Sequence, residues 1–319
     1  MNLRIAVVGS GAIGSYYGTK LACSGGDVHF LMRGDLSEIR RAGLCIQGSG
    51  ENFHLAEVNC YNSTKEIGPC DLILISVKAT SNLDLIELVP PLLHPRMMLL
   101  TMQNGLGNEE FLAEHFGAER VLGAICFICL SRTSRTKIEC YDYGQIMLGE
   151  YGRASQPRTH AVAAKFTRGG VQCTVVENLA LERWRKLVWN VPFNGLSILA
   201  GGIDTAAILQ DKDLRRTTLG LMDEVIETAN KCGYPLERAA AAQEMRRAEK
   251  IDASRPSTLL DWEAGRPLEI EPIWGEPLRR ALTVGADVPR LEVIYALLKS
   301  LGETGREKKS ASKIASHSS

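Results

Sequence analysis

Four short runs of nearly unbroken apolar residues, Leu3–Val8, Asp27–Met32, Asp71–Val77 and Met97–Met102, punctuate the first part of the chain, with helix-spaced stretches between them. A strand covered on both faces loses its in/out alternation, so continuous runs that alternate with helices predict a parallel sheet. From Gly123 to Val176 further β-type runs are joined by polar turns, Ser131–Thr136 and Tyr151–Arg158, and predict antiparallel strands that extend that sheet. Beyond about Val176 the period becomes helical and turn-bounded β-branched runs cease. The expected organisation is an α/β domain over residues 1–176, an all-helical domain over 177–302, and a polar, disordered tail over 303–319.

Helix signals in the second domain are specific. Leu214–Lys231 carries an apolar stripe, has Asp211 and Asp213 at its start and Gly233 just past its end. Leu236–Lys250, Leu268–Val284 and Pro289–Leu301 are similar, although Pro272 and Pro277 must break or kink the third. There is no internal repeat at solenoid spacing.

Composition narrows the function classes. Lysine plus arginine equals aspartate plus glutamate, 37 each in 319 residues, so no overall basic field exists for nucleic acid or an anionic membrane. No apolar stretch approaches the roughly 20 residues needed to cross a bilayer, and the N-terminus has no signal-peptide layout. A cytoplasmic location is expected. Nine cysteines without framework spacing indicate reduced thiols; Cys126 and Cys129 form a C-x-x-C pair, but inside an apolar run they read as buried strand cysteines. Six dispersed histidines give no ligand spacing, so no metal is expected.

The first chemical signal is G-x-G-x-x-G: Gly9, Ser10, Gly11, Ala12, Ile13 and Gly14 follow a strand and open a helical stretch. Gly9 permits the tight turn, Gly11 lets backbone approach a pyrophosphate, Gly14 allows close packing, and the helix N-terminus favours the anion. The first domain is therefore expected to be a Rossmann-like dinucleotide-binding domain. Where an NAD site usually presents an acid to the ribose, after the second strand, Arg33 stands instead, and a guanidinium suits the 2′-phosphate of NADP. Asp35, two residues on, is the rival ribose partner. Lys78 and Gln103-Asn104-Gly105 follow two further strands, at the edge where open α/β sheets bind ligands.

In the second domain Lys186, Asn190 and Asn194 lie at i, i+4 and i+8 of a helical, largely apolar segment that also contains Pro192. Pro192 is expected to kink it. Further on, Ser257 taken singly reads as a helix N-cap and Glu269 as a first-turn acid.

Taken in order, G-x-G-x-x-G, Arg33, Ser76-Val-Lys78, Gln103-Asn-Gly105, W-x-K-L-x-x-N-x-x-x-N from Trp184 to Asn194, S-x-L-x-D from Ser257 and R-x-x-E-I-E from Arg266 make the chain resemble ketopantoate reductases almost end to end. The resemblance implies NADPH-dependent reduction of 2-dehydropantoate to pantoate at a site between the two domains. It implies Lys186 as catalytic lysine, Asn104, Asn190, Asn194, Ser257 and Glu269 around the substrate, and the glycine loop, Arg33, Lys78 and Asn104 around NADPH. The partner would be a small 2-oxo acid, with a homodimer left open. Two positions depart from the family pattern: Trp274 and Asp204 stand where members often place asparagines. Reduction of another small 2-oxo acid, or a non-catalytic NADP-binding sensor or scaffold, stay open as alternatives.

Overall fold

The computed structural model describes residues 3–142, 145–251 and 253–302; the tail over 303–319 lies outside them. The chain divides into two compact units, Met1–Glu182 and the part from Arg183 onward.

Among the described residues the first unit holds twelve strands: β1 Arg4–Val8, β2 Asp27–Leu31, β3 Leu44–Gly48, β4 Glu51–Leu55, β5 Asn59–Tyr61, β6 Leu72–Ile75, β7 Met98–Thr101, β8 Val121–Cys126, β9 Cys129–Arg132, β10 Lys137–Asp142, β11 Ile146–Glu150 and β12 Cys173–Val175. Eight of them form one sheet in the order β12-β11-β8-β7-β6-β1-β2-β5. Every pairing from β8 through to β5 is parallel. The continuous apolar runs have the expected cause. Ile5 and Val7 of β1 join Leu72 and Leu74 of β6 in one buried cluster, while Ala6 and Val8 join Ile73 and Ile75 in another. Both faces of these strands are thus covered, and alternation has nothing to distinguish.

The expectation of a simple antiparallel extension needs correction. β8 pairs parallel with β7, β11 pairs antiparallel with β8, and β12 pairs parallel with β11. β9 and β10 leave this sheet altogether. They join the β3–β4 hairpin in a second sheet of order β4-β3-β10-β9, in which β10 pairs parallel with β3. Its inner residues Leu44, Ile46, Ile138 and Cys140 belong to the same buried cluster as Ile5 and Val7, so this sheet is fixed by apolar burial against that cluster. Cys126 ends β8 and Cys129 begins β9, and neither is joined in a disulfide.

Among the described residues after Val175 all regular structure is helical. The helix Lys212–Lys231 starts where its signals place it: the Asp211 carboxylate accepts from the amides of Asp213 and Leu214, and Gly233 follows at φ 85°. Pro192 lies inside one continuous helix, Leu179–Leu199. The break expected at Pro272 and Pro277 takes the form of a π-helical turn, Glu271–Gly275, followed by the α-helix Glu276–Thr283. A last helix covers 289–302. Among the described residues no helix is long and apolar enough to cross a membrane.

Candidate functional site

The loop after β1 is shaped by what glycine lacks. Gly9 has φ 103°, and a Cβ there would stand 2.3 Å from the Val77 amide nitrogen; one on Gly14 would stand 2.3 Å from the Gly9 carbonyl oxygen. Both contacts are sub-van der Waals, so neither position tolerates a side chain without moving backbone. Gly11 differs: a Cβ there would meet nothing within 4 Å. It is the N-cap of the helix Ala12–Cys23, which has no side-chain cap and no acid in its first turn. Open space before an uncapped helix N-terminus is the cradle a diphosphate requires, so the residues present fit the dinucleotide read from sequence. Ser10 turns away, its hydroxyl donating to the Leu31 carbonyl at 2.8 Å, while the Ser76 hydroxyl donates to the Gly9 carbonyl at 2.7 Å.

Arg33, Lys78 and Asn104 follow β2, β6 and β7, and the strand order places all three along the same carboxyl edge as the Gly9–Gly14 loop after β1. Arg33 is strongly exposed, 83% by side chain, and pairs with Asp84 at 3.4 Å. Asp35 accepts from the Ser37 amide at 3.0 Å and the Ser37 hydroxyl at 2.6 Å. Those two hydrogen bonds, with smaller contributions from Arg135 and Arg40, hold its carboxyl below the usual range. The rival ribose partner is thus engaged in its own turn. Lys78 is half-buried and begins the short turn in which its carbonyl accepts from the Ser81 amide. Asn104 ends a chain of amides: Gln103 donates to Asn82 at 2.7 Å, Asn82 to Asn108 at 3.1 Å, and Asn108 to the Asn104 carbonyl at 2.9 Å.

In the second unit Lys186 is half-buried, while Asn190 and Asn194 are buried on the same helix. The polar stripe is therefore not a solvated face. The Asn194 amide donates to the Thr258 hydroxyl at 3.0 Å, a buried bond that ties the helix Ser257–Glu263 to the helix carrying Lys186. Ser257 itself is exposed and is the first helical residue; Pro256 takes the cap position, which corrects the capping role for Ser257. Glu269 is half-buried just before the helical segment that leads into Glu271–Gly275. The two departures from the family pattern both have structural work. Asp204 is an N-cap, its carboxylate accepting from the Ala207 amide at 2.9 Å. Trp274 is fully buried, and its indole N–H donates to the Val191 carbonyl at 2.9 Å, beside Pro192.

Sequence reasoning missed Thr258, Asn82 and two arginines of the second sheet. Arg132 donates from Nη1 to the Ser10 carbonyl and to the Ser15 hydroxyl, the latter at 3.1 Å, and Arg135 donates to the Asp35 carbonyl at 2.9 Å. No local pattern signals these contacts, because they depend on the β3–β10 pairing.

Comparison with known proteins gives a uniform result. The family model described as ketopantoate reductase PanE/ApbA matches residues 5–153, and the model of its C-terminal part matches 178–302. A 2-dehydropantoate 2-reductase of Nostoc sp. is 35% identical over 308 residues, 95% of this chain and 96% of that protein. The crystal structure of a 2-dehydropantoate 2-reductase from Geobacter metallireducens superposes with TM-score 0.91 at 40% identity, covering 94% of this chain and all of that one. At 20% identity, a ternary structure of D-mandelate dehydrogenase with NADH and anilino(oxo)acetate shares the fold, with TM-score 0.85 over 95% of this chain and 99% of that chain.

Proposed function

The chain belongs to the ketopantoate reductase family, and from that premise we propose that it reduces 2-dehydropantoate to pantoate with NADPH. The observation that carries this reading is the 35% identity to a 2-dehydropantoate 2-reductase across nearly the full length of both chains. The enzyme is an oxidoreductase acting on a CH–OH group.

When bound, NADPH supplies the hydride that reduces the ketone carbon. The backbone from Gly9 to Gly14 would hold its diphosphate, Arg33 its 2′-phosphate, and Lys78 and Asn104 would complete the cofactor side. Hydride addition leaves negative charge on the carbonyl oxygen. The Lys186 ammonium donates to that oxygen and delivers the proton that turns the alkoxide into the hydroxyl. Asn190, one turn on, orients Lys186, and Asn194, fixed by Thr258, extends the same polar face. Asn104 and Ser257 orient the substrate carboxylate or hydroxyl, and Glu269 accepts from that hydroxyl.

We place the reaction in the cytoplasm, in keeping with nine cysteines that form no disulfide. A homodimer is the proposed assembly; Val293, Leu297 and Leu301 form an exposed apolar stripe on the 289–302 helix that suits it. Sedimentation velocity reads its mass.

The deciding assay follows NADPH oxidation with 2-dehydropantoate and a panel of other branched 2-oxo acids. Turnover is expected to be fastest on 2-dehydropantoate. A faster alternative acid would move the substrate within the reductase class, and no turnover on any acid would favour the sensor or scaffold reading.

A further inference from the structure

The second sheet delivers a cation to the Arg33 loop that the Rossmann-like core does not supply. Arg135 lies in the turn between β9 and β10, yet a Cβ built on Gly34 would stand 3.3 Å from both terminal nitrogens of its guanidinium. Its Nη1 donates to the carbonyl of Asp35 at 2.9 Å, and the residue is exposed. The Arg135 fork is thus laid across Gly34, the residue next to Arg33. Arg132 fixes the turn that carries it: it donates to the carbonyls of Arg135 and Ser134 on one side, and to the Ser10 carbonyl and Ser15 hydroxyl of the glycine loop on the other. Arg132 is spent on protein acceptors, and its partial burial, with Arg135 close by, lowers its pKa.

We propose that Arg135 is a second specificity residue for the cofactor, forming with Arg33 a two-guanidinium clamp on the phosphate monoester of the adenosine ribose. The inference rests on the reading that the glycine loop takes NADPH. Among the described residues Arg33 pairs at the surface with Asp84, a weak, solvent-screened interaction that a dianionic phosphate displaces readily. Arg135 uses one of its five donors on Asp35 and keeps the fork geometry that phosphate oxygens accept bidentately. Asp35 opposes a bare phosphate, but its carboxylate accepts from Ser37 and its carbonyl from Arg135, so its backbone serves to seat the second cation.

The test is calorimetric titration of the full chain with NADPH, NADH and adenosine 2′,5′-bisphosphate. The unmodified protein is compared with Arg33→Ala, Arg135→Ala and Arg135→Gln. The glutamine stays polar but loses the charge, the donor fork and the reach to the Asp35 carbonyl, so the comparison of NADPH with NADH in each variant is what separates a clamp from a loop prop. Arg135→Gln is expected to weaken NADPH and the bisphosphate by roughly tenfold, to leave NADH within about twofold, and to flatten the salt dependence of NADPH affinity. An unchanged NADPH affinity in Arg135→Gln, or equal weakening of NADPH and NADH, overturns the clamp while Arg33→Ala still discriminates. Failure of the underlying reading looks different: the unmodified protein would bind NADH as tightly as NADPH.

Discussion

A single methyl group at position 9 has nowhere to go: it would meet the Val77 amide at 2.3 Å on a backbone already at φ 103°. Gly9→Ala is therefore expected to abolish measurable NADPH binding and to lower the melting temperature, whereas Gly11→Ala, whose Cβ faces open space, should lose cofactor affinity with little change in melting. Thermal denaturation beside a cofactor titration separates the two. Lys186→Ala should lower kcat by about 100- to 10,000-fold and leave the NADPH dissociation constant unchanged, because a proton donor acts in the transition state. A near-normal kcat would move the proton donor elsewhere. Glu150 supplies a pH prediction. Its side chain is fully buried; burial raises its pKa, but Arg158, Thr159 and Arg153 outweigh that and hold it below the ordinary 4.5. The unfolded chain then binds the proton first, so the stabilisation is complete above pH 4.5 and is lost as pH falls from there through the lower folded-state value. Melting temperature should drop across that window, and Glu150→Gln should flatten the drop. At this scale the glycine turn and the sheltered polar stripe of Lys186, Asn190 and Asn194 are legible in the sequence because their local context is distinctive. Thr258, Arg132 and Arg135 are not, because their partners are distant in sequence.

Elements divide the same way. β1, β2, β6 and β7 are readable as continuous apolar runs because burial on both faces leaves a local mark. The β3–β4 hairpin and β5 leave no such mark, and the runs of β9 and β10 point to the wrong sheet, since which strands pair is decided by burial that no single run encodes. The two prolines of the penultimate helical segment are legible as a break but not as a π turn. There the Glu276 amide reaches back five residues to the Glu271 carbonyl, and the turn presents Trp274 to the Val191 carbonyl. Trp274→Phe removes the indole N–H and part of the buried ring volume, so it should destabilise the protein by about 1–3 kcal/mol through the lost hydrogen bond and the space left behind. Shifts in the denaturant midpoint at constant slope measure it. No loss of stability would show that neither the indole N–H nor the extra ring volume contributes.

For the whole molecule, equal numbers of acidic and basic residues put the isoelectric point near 7.0, so mutual repulsion between copies is weakest at neutral pH. Solubility should pass through a minimum there and rise on either side, which turbidity against pH records. The change from sheet to helix is legible as a change of period because each half repeats one kind of element. The pairing of β3 with β10 has a consequence in time. It joins Cys45 to Lys137, so the strand that anchors the Arg132–Arg135 turn leaves the ribosome long after the glycine loop has been made. Closing so long a loop is entropically slow, and a nascent chain therefore carries the glycine loop and Arg33 well before the turn that seats Arg135 can form. With Arg135 as the second half of a phosphate clamp, the clamp is completed late in folding, and NADPH is expected to slow amide hydrogen exchange across the β3–β10 ladder more than NADH does.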